Sequence, residues 1–265
     1  MGTSLIPTTP DPIHIMHLST EAIAKSAWLC ITAIGVCLAM VPPQPKPSQK
    51  SREKFDAPST ASDGEGCPDI APPWFDFKAA IATFGISYFP YLFSIWVVCI
   101  SALDVIHALD LFRDIMPVAH TTAARTINTQ LIIGFILTAS STAFRFSAFQ
   151  TMGKLFTYHL AILPDHKLVT HGVYAYCRHP SYTAISFIYV GVLLTITAPG
   201  SVLYDHLGVD LTRKLMTVLG LAATRGSYEF VRRAEVEDQV LRREFGKEWE
   251  EWARKVPYKF IPYLI

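Results

Sequence analysis

The sequence predicts an all-α membrane protein, a polytopic bundle of about five spans with a C-terminal helical hairpin and an amphipathic cytosolic helix. Three observations carry that reading. Of 265 residues, 51% are hydrophobic and 17% charged, with a mean hydropathy of +0.29, whereas soluble domains carry roughly a quarter charged residues. Uncharged apolar stretches approach the ~20 residues that a helix needs to cross a bilayer. Between them lie segments rich in basic and turn-forming residues. The net charge of +1 carries no polyelectrolyte signal, and no nucleic-acid partner is expected. Cys30, Cys37, Cys67, Cys99 and Cys177 form no CxxC pair or regular framework; neither disulfides nor zinc is implied.

The elements follow in order. Residues 1–22 form an N-terminal tail, 23–145 a region of spans interrupted by a flexible loop at 42–78, and 146–265 a catalytic region. Ala27 to Val41 (AWLCITAIGVCLAMV) is nearly all apolar, and Ile23 to Ser26 bring it to spanning length. A cleaved signal peptide has a core of similar length. The tail before it has no basic region, however, and AMVPP is a poor cleavage site, so a retained span is expected. Pro42 to Trp74 is dominated by Pro, Ser, Lys and Asp and reads as solvated loop. Ala79 to Leu103 is the second span, with Pro90 as a kink; Thr126 to Phe144, between Arg125 and Arg145, is the third. Thr183 to Ala198 is the first arm of the hairpin, and Pro199-Gly200 signals a turn. Ser201 to Lys214, with Asp205, His206, Asp210, Arg213 and Lys214, reads as a polar connection at an interface. Leu215 to Ala223 then runs into a charged helical tail.

Basic residues set an orientation. Lys46, Lys50, Arg52, Lys54 and Lys78 follow the first span, and Arg145, Lys154, Lys167 and Arg178 follow the third. Only Arg113 and Arg125 separate the second from the third. The positive-inside tendency puts the basic loops and the C-terminus in the cytosol.

Two polar concentrations stand out. Residues 166–182, HKLVTHGVYAYCRHPSY, gather His166, His171 and His179 with Arg178, Lys167 and three tyrosines between apolar stretches. Histidine is a common metal ligand, but there is no HxxxH pair and only Asp165 nearby, so no metal is expected. Side chains lining a headgroup interface are the plainer alternative. The second concentration is SYEFVRRAEVEDQVLRREFGKEWEEWARKVPYKFIPYLI. Its charges alternate with an apolar stripe of Phe230, Val236, Val240 and Leu241, as in a solvated amphipathic helix. Arg233 and Glu237, four apart, share a face. Phe245-Gly246 breaks the helix, and Trp249, Trp252 and Tyr258 read as interfacial anchors.

Taken together, H-x-L-V-T-x-G-x-Y, R-H-P-S-Y, a helical hairpin, Arg with an acidic pair, F-G and a late I-P resemble the isoprenylcysteine carboxyl methyltransferases. The resemblance covers about the C-terminal 110 residues. It implies an endoplasmic reticulum membrane enzyme that uses S-adenosyl-L-methionine to esterify the C-terminal prenylated cysteine of CaaX-type proteins or peptides after proteolysis. It also implies residue roles. His159, His166, Lys167, Leu168, Val169, Tyr174, His179, Pro180, Ser181, Tyr182 and Glu237 fall at cofactor-binding positions, with Glu237 on the cofactor's amino group. Arg233 falls at a substrate-binding and catalytic position, and Arg178 at one suited to steering the substrate carboxylate. Glu237-Asp238 replaces the family's usual Glu-Glu pair, Ala184 stands where Gly is common, and the 201–214 connection is longer than usual.

The chemistry suits these residue types. A C-terminal carboxylate, with a pKa of about 3.5, is ionised near neutral pH and needs no general base. It must be stripped of water and aligned, which arginine's fork of donors can do. Phospholipid N-methylation is the nearest rival and requires an amine to lose a proton. A sterol-type reductase would require NADPH, for which no fingerprint is present. A lipid-binding protein without catalysis is the remaining alternative.

Overall fold

A computed structural model describes residues 20–40, 92–106, 126–156 and 167–264. The loop expected at 42–78, the start of the second span with Pro90, and His159 and His166 lie outside these residues. The described residues form helices joined by turns: α1 (Thr20–Met40), α2 (Leu92–Ile106), α3 (Thr129–Met152), α4 (Pro180–Ile196), α5 (Val202–Phe245) and α6 (Lys247–Lys255).

A seven-residue pattern sets the packing of α1 on α3. In α3 the buried positions Leu131, Gly134, Thr138, Ser141, Arg145 and Ala148 alternate three and four apart; in α1, Ala22, Leu29 and Val36 recur every seventh residue. Such spacing produces a seam that two helices can share along their length. The pairs are in step. Trp28 stacks on Phe135 with ring centroids 4.8 Å apart, Gly35 faces Thr142, and Ala39 meets Arg145. The helices therefore run parallel.

Helix α4 runs the other way against α3, and small residues bring the two backbones close. A Cβ at Gly134 would stand 2.6 Å from Thr195 Oγ1 and 2.9 Å from the Gly191 carbonyl oxygen, and one at Gly191 would overlap Thr138. Helices surrounded by lipid associate largely through such close packing. Ile185, Ile188, Val192 and Ile196 make the neighbouring stripe of α4 and join Ala33, Val36, Met40 and Val97 in the main core.

Local signals define the ends. Asn128 caps α3, its Oδ1 accepting from the Leu131 amide at 3.0 Å. Pro180 opens α4, where its missing N–H is no loss. Gly200 turns the chain at φ 82°, and Ser201 caps α5 through the Tyr204 amide at 3.2 Å. The polar 201–214 connection is thus helical, interrupted at Gly208 (φ 73°, ψ 171°). Helix α3 also continues past Phe144, where the apolar stretch ended by composition. Arg145 is buried inside it because its guanidinium is satisfied by neighbouring oxygens rather than by water.

The outer surface is apolar. Ile31, Ile34 and Leu38 of α1, Leu92 and Ile95 of α2, Ile133 and Ile136 of α3 and Val218 and Leu221 of α5 are exposed. Helices apolar on both the packed and the outward face suit a hydrocarbon surround. Thr20–Met40 and Thr129–Leu155 are long and apolar enough to cross a bilayer, while Leu92–Ile106 and Pro180–Ile196 are apolar but shorter. Substituting Val for Gly191 should force α3 and α4 apart. The expected cost is about 1–3 kcal/mol, as for other overpacked interiors, read as a lowered thermal-unfolding midpoint of the detergent-purified protein.

Candidate functional site

The chain reaches α4 through Gly172–Ala175, a single 3₁₀ turn, and the R-H-P-S-Y residues. Pro180 fixes the start of α4, so Arg178 and His179 sit just before the first turn while Ser181 and Tyr182 lie within it. Helix α5 returns antiparallel to α4. Gly226 approaches Tyr189, and Phe230 stacks on Tyr182 with centroids 5.4 Å apart. Within the next two helical turns or so, Arg233, Glu237 and Asp238 arrive beside the start of α4.

Side-chain bonds join the two segments. Arg233 Nε donates to Tyr182 Oη at 2.8 Å, and Tyr182 Oη donates to Glu237 Oε2 at 2.9 Å. His179 Nε2 lies 3.0 Å from Asp238 Oδ1, and its Nδ1 lies 3.6 Å from Glu237 Oε2. Arg178 Nη1 stands 3.0 Å from Asp238 Oδ2, and its guanidinium lies over the Trp249 ring at 5.6 Å. Consecutive helix positions are ~100° apart around the axis, 3.6 residues completing a turn. Glu237 therefore meets Tyr182 while Asp238 meets Arg178. Tyr182 is held between the His179 and Phe230 rings.

The segment after α6 closes this side. The Arg178 amide donates to the Tyr258 carbonyl at 3.0 Å, the His179 amide to Lys259 at 2.8 Å and Thr183 Oγ1 to Phe260 at 2.9 Å. The first two satisfy amides just before α4 that have no partner within the helix. Trp252 Nε1 donates to the Tyr174 carbonyl at 3.2 Å. Trp252 is buried with Tyr174, Ala148 and Val256, and Leu168 and Val169 pack on them. Trp252 is thus a core residue rather than an interfacial anchor, because α6 folds back over the 168–175 segment. Lys167 is exposed beside them.

Arg145 is the participant that sequence reasoning missed. Its Nε donates to the Ala39 carbonyl at 2.6 Å, and its Nη1 donates to both the carbonyl and the hydroxyl of Ser181. It ties the ends of α1 and α3 to the first turn of α4. The available signal was a lone charge between phenylalanines in an apolar run, a setting in which ionisable residues are rarely idle.

Burial, helped by the nearby Glu237 charge, pushes the Tyr174 phenol well above its ordinary range, so it stays neutral. Arg178 Nε and Trp249 Nε1 are buried donors without a hydrogen-bond partner, and Asp238 Oδ2 is a buried acceptor whose ion pair with Arg178 lies off the hydrogen-bonding direction. Burial also pushes the Cys177 thiol up to about 11. With little thiolate at pH 8, Cys177 should resist maleimide in the folded protein and react on denaturation, as mass spectrometry would show.

Residues 132–206 match the family model described as "Isoprenylcysteine carboxyl methyltransferase (ICMT) family". The chain is 31% identical over 134 residues to "Probable protein-S-isoprenylcysteine O-methyltransferase" of Oryza sativa subsp. indica, covering 50% of this chain and 61% of that protein. The protein of the same name from Oryza sativa subsp. japonica matches equally. "Protein-S-isoprenylcysteine O-methyltransferase B" of Arabidopsis thaliana is 30% identical over 138 residues, 51% of this chain and 57% of that protein. The chain spans about three fifths of the length of the curated relatives it matches. The matched residues 132–206, which hold most of α3, the R-H-P-S-Y motif and α4, are similar to the isoprenylcysteine carboxyl methyltransferase family.

Proposed function

We propose that this chain transfers a methyl group from S-adenosyl-L-methionine to the C-terminal carboxylate of a prenylated cysteine. The observation that carries the reading is the convergence of segments more than fifty residues apart in the chain: Arg233, Tyr182 and Glu237 are joined by hydrogen bonds, and His179 lies against Glu237 at 3.6 Å. When bound, the cofactor supplies a methyl group already activated on a sulfonium.

The residues divide the remaining work. Glu237 is the acid for the cofactor's ammonium, and Leu168, Val169, Tyr174, His179, Pro180, Ser181 and Tyr182 form the surrounding wall, with Lys167 at its edge. Arg233, braced through Nε on Tyr182, holds the substrate carboxylate. That carboxylate is ionised near neutral pH and needs no proton removed. The site must instead exclude water and keep the reacting atoms about 3 Å apart. A contact speeds the reaction only if it survives loss of the carboxylate's charge, so a rigid arginine is better than a mobile one. Arg178, the second candidate for steering that carboxylate, already faces Asp238.

The substrate's tail accounts for the apolar exterior. A prenyl chain gains about 0.8 kcal/mol for each methylene moved into lipid, so the substrates are prenylated CaaX-type proteins or peptides after proteolysis, presented from the bilayer. The proposed setting is the endoplasmic reticulum membrane, with about five spans and the site and C-terminus cytosolic.

Membranes containing this chain should transfer labelled methyl to N-acetyl-farnesylcysteine and not to phosphatidylethanolamine. Arg233→Ala and Glu237→Ala should each lower turnover about a hundredfold, the scale seen when a donor to the reacting group is lost, without loss of folded protein. A double variant turning over like the wild type would overturn the residue assignment, and transfer to phosphatidylethanolamine alone would replace the substrate.

A further inference from the structure

We propose that Asp238 is a positioning residue for the methyl-donor side of the site, acting through His179 and Arg178. It leaves Glu237 as the member of the acidic pair that meets the cofactor. This rests on the function proposed above and assigns a role to an acid that the family resemblance leaves without one.

The two neighbouring acids are treated differently by the fold. The Glu237 side chain is 29% exposed, and that of Asp238 only 9%. Asp238 Oδ1 lies 3.0 Å from His179 Nε2. An ionised carboxylate can only accept, so Nε2 carries the hydrogen. In the neutral ring Nδ1 is then an acceptor. It faces Glu237 Oε2 at 3.6 Å, beyond hydrogen-bonding distance. Oε2 instead accepts from Tyr182. The opposite tautomer would point an N–H at Glu237 and spend that carboxylate on the histidine. Asp238 prevents this by holding the proton on the far nitrogen.

The other oxygen of Asp238 governs Arg178. That guanidinium sits beside Oδ2, donates through Nη2 to the Pro257 carbonyl at 3.3 Å and covers the Trp249 ring. Its charge compensates a buried acid and holds the 257–260 segment against the start of α4. In this arrangement Arg178 supports the wall of the site, while Arg233 lies on the Tyr182 and Glu237 side, where the proposed function has it hold the substrate carboxylate. Asp238 thus keeps the two arginines apart in role. It is one methylene shorter than the glutamate usual at this place in the family, yet it reaches both partners at 3.0 Å.

The test uses the full chain in nanodiscs, with labelled S-adenosyl-L-methionine for binding and N-acetyl-farnesylcysteine as acceptor. Asp238→Asn can donate from its amide to Nε2 and so invert the tautomer. It should weaken cofactor binding and raise the cofactor KM about tenfold, the effect of unpairing a buried donor, while leaving the acceptor KM unchanged. Asp238→Glu should restore most of the cofactor affinity. General loss of folding would only reduce active protein and leave both KM values in place. Ring 15N shifts of His179, identified by their disappearance in His179→Gln, should report the Nε2–H tautomer in the wild type. Unchanged cofactor binding in Asp238→Asn, a parallel shift of both KM values, or an Nδ1–H wild-type ring would overturn the proposal. If Asp238→Asn does not fold, the wild-type ring shifts decide. A wild-type protein that binds no labelled cofactor would instead sink the proposed function, with the tautomer still testing the geometry.

Discussion

The acidic pair on α5 has to reach the residues that open α4, and most of the architecture serves that contact. Arg178 and His179 lie just before α4, whereas Glu237 and Asp238 lie late on α5, on the return arm of the hairpin. Arg178, His179 and Asp238 are all shielded from solvent. Charges placed so deeply are stable only when each finds its opposite or a hydrogen-bond partner. The pairing is therefore mutual. Asp238 without Arg178 and His179 would be an uncompensated charge, and the two residues of R-H-P-S-Y without Asp238 would lose the anchor of their orientation.

That contact needs a hairpin of fixed register, and the far end of the bundle provides it. The turn between α4 and α5 is held from several sides. Lys25 Nζ donates to the Gly200 carbonyl at 2.7 Å, Asn128 Nδ2 to the Pro199 carbonyl at 2.8 Å, and Gln130 Nε2 to the Leu194 carbonyl at 3.0 Å. Asp104 accepts from the Val202 amide at 2.5 Å. At the other end Arg145 binds Ala39 and Ser181. Helix α4 is about 25 Å long at 1.5 Å per residue and is pinned at both ends by side chains from α1, α2 and α3. A slip of α5 by one residue would turn Glu237 about 100° away from Tyr182. The helices preceding the hairpin thus contribute directly to where the acids stand.

Much of this was legible in the chain. Apolar runs located the helices near 23–41, 126–144 and 183–198, Pro199-Gly200 marked the turn, and Gly246 marked the end of α5, because hydrophobic periodicity and backbone-restricting residues act locally. The polar stretch at 166–182 and the tail at 227–265 were visible as concentrations of titratable side chains for the same reason. The burial of Arg145 and the helical course of residues 201–214 were not legible in this way. In both cases the deciding partners, Ala39, Ser181 and the hairpin turn, come from elsewhere in the chain.

Composition and local pattern were enough to establish an all-helical, lipid-compatible chain with two reactive-looking segments, since burial preference and helix propensity are properties of short stretches. They could not decide which acid faces Tyr182 and which faces Arg178, or that Trp252 belongs to the core. Those choices follow from the rotation of α5 against α4 and the folding back of α6. Both arise only when helices pack, since long-range hydrogen bonds and close-packed glycines select one register among several that the sequence pattern alone allows.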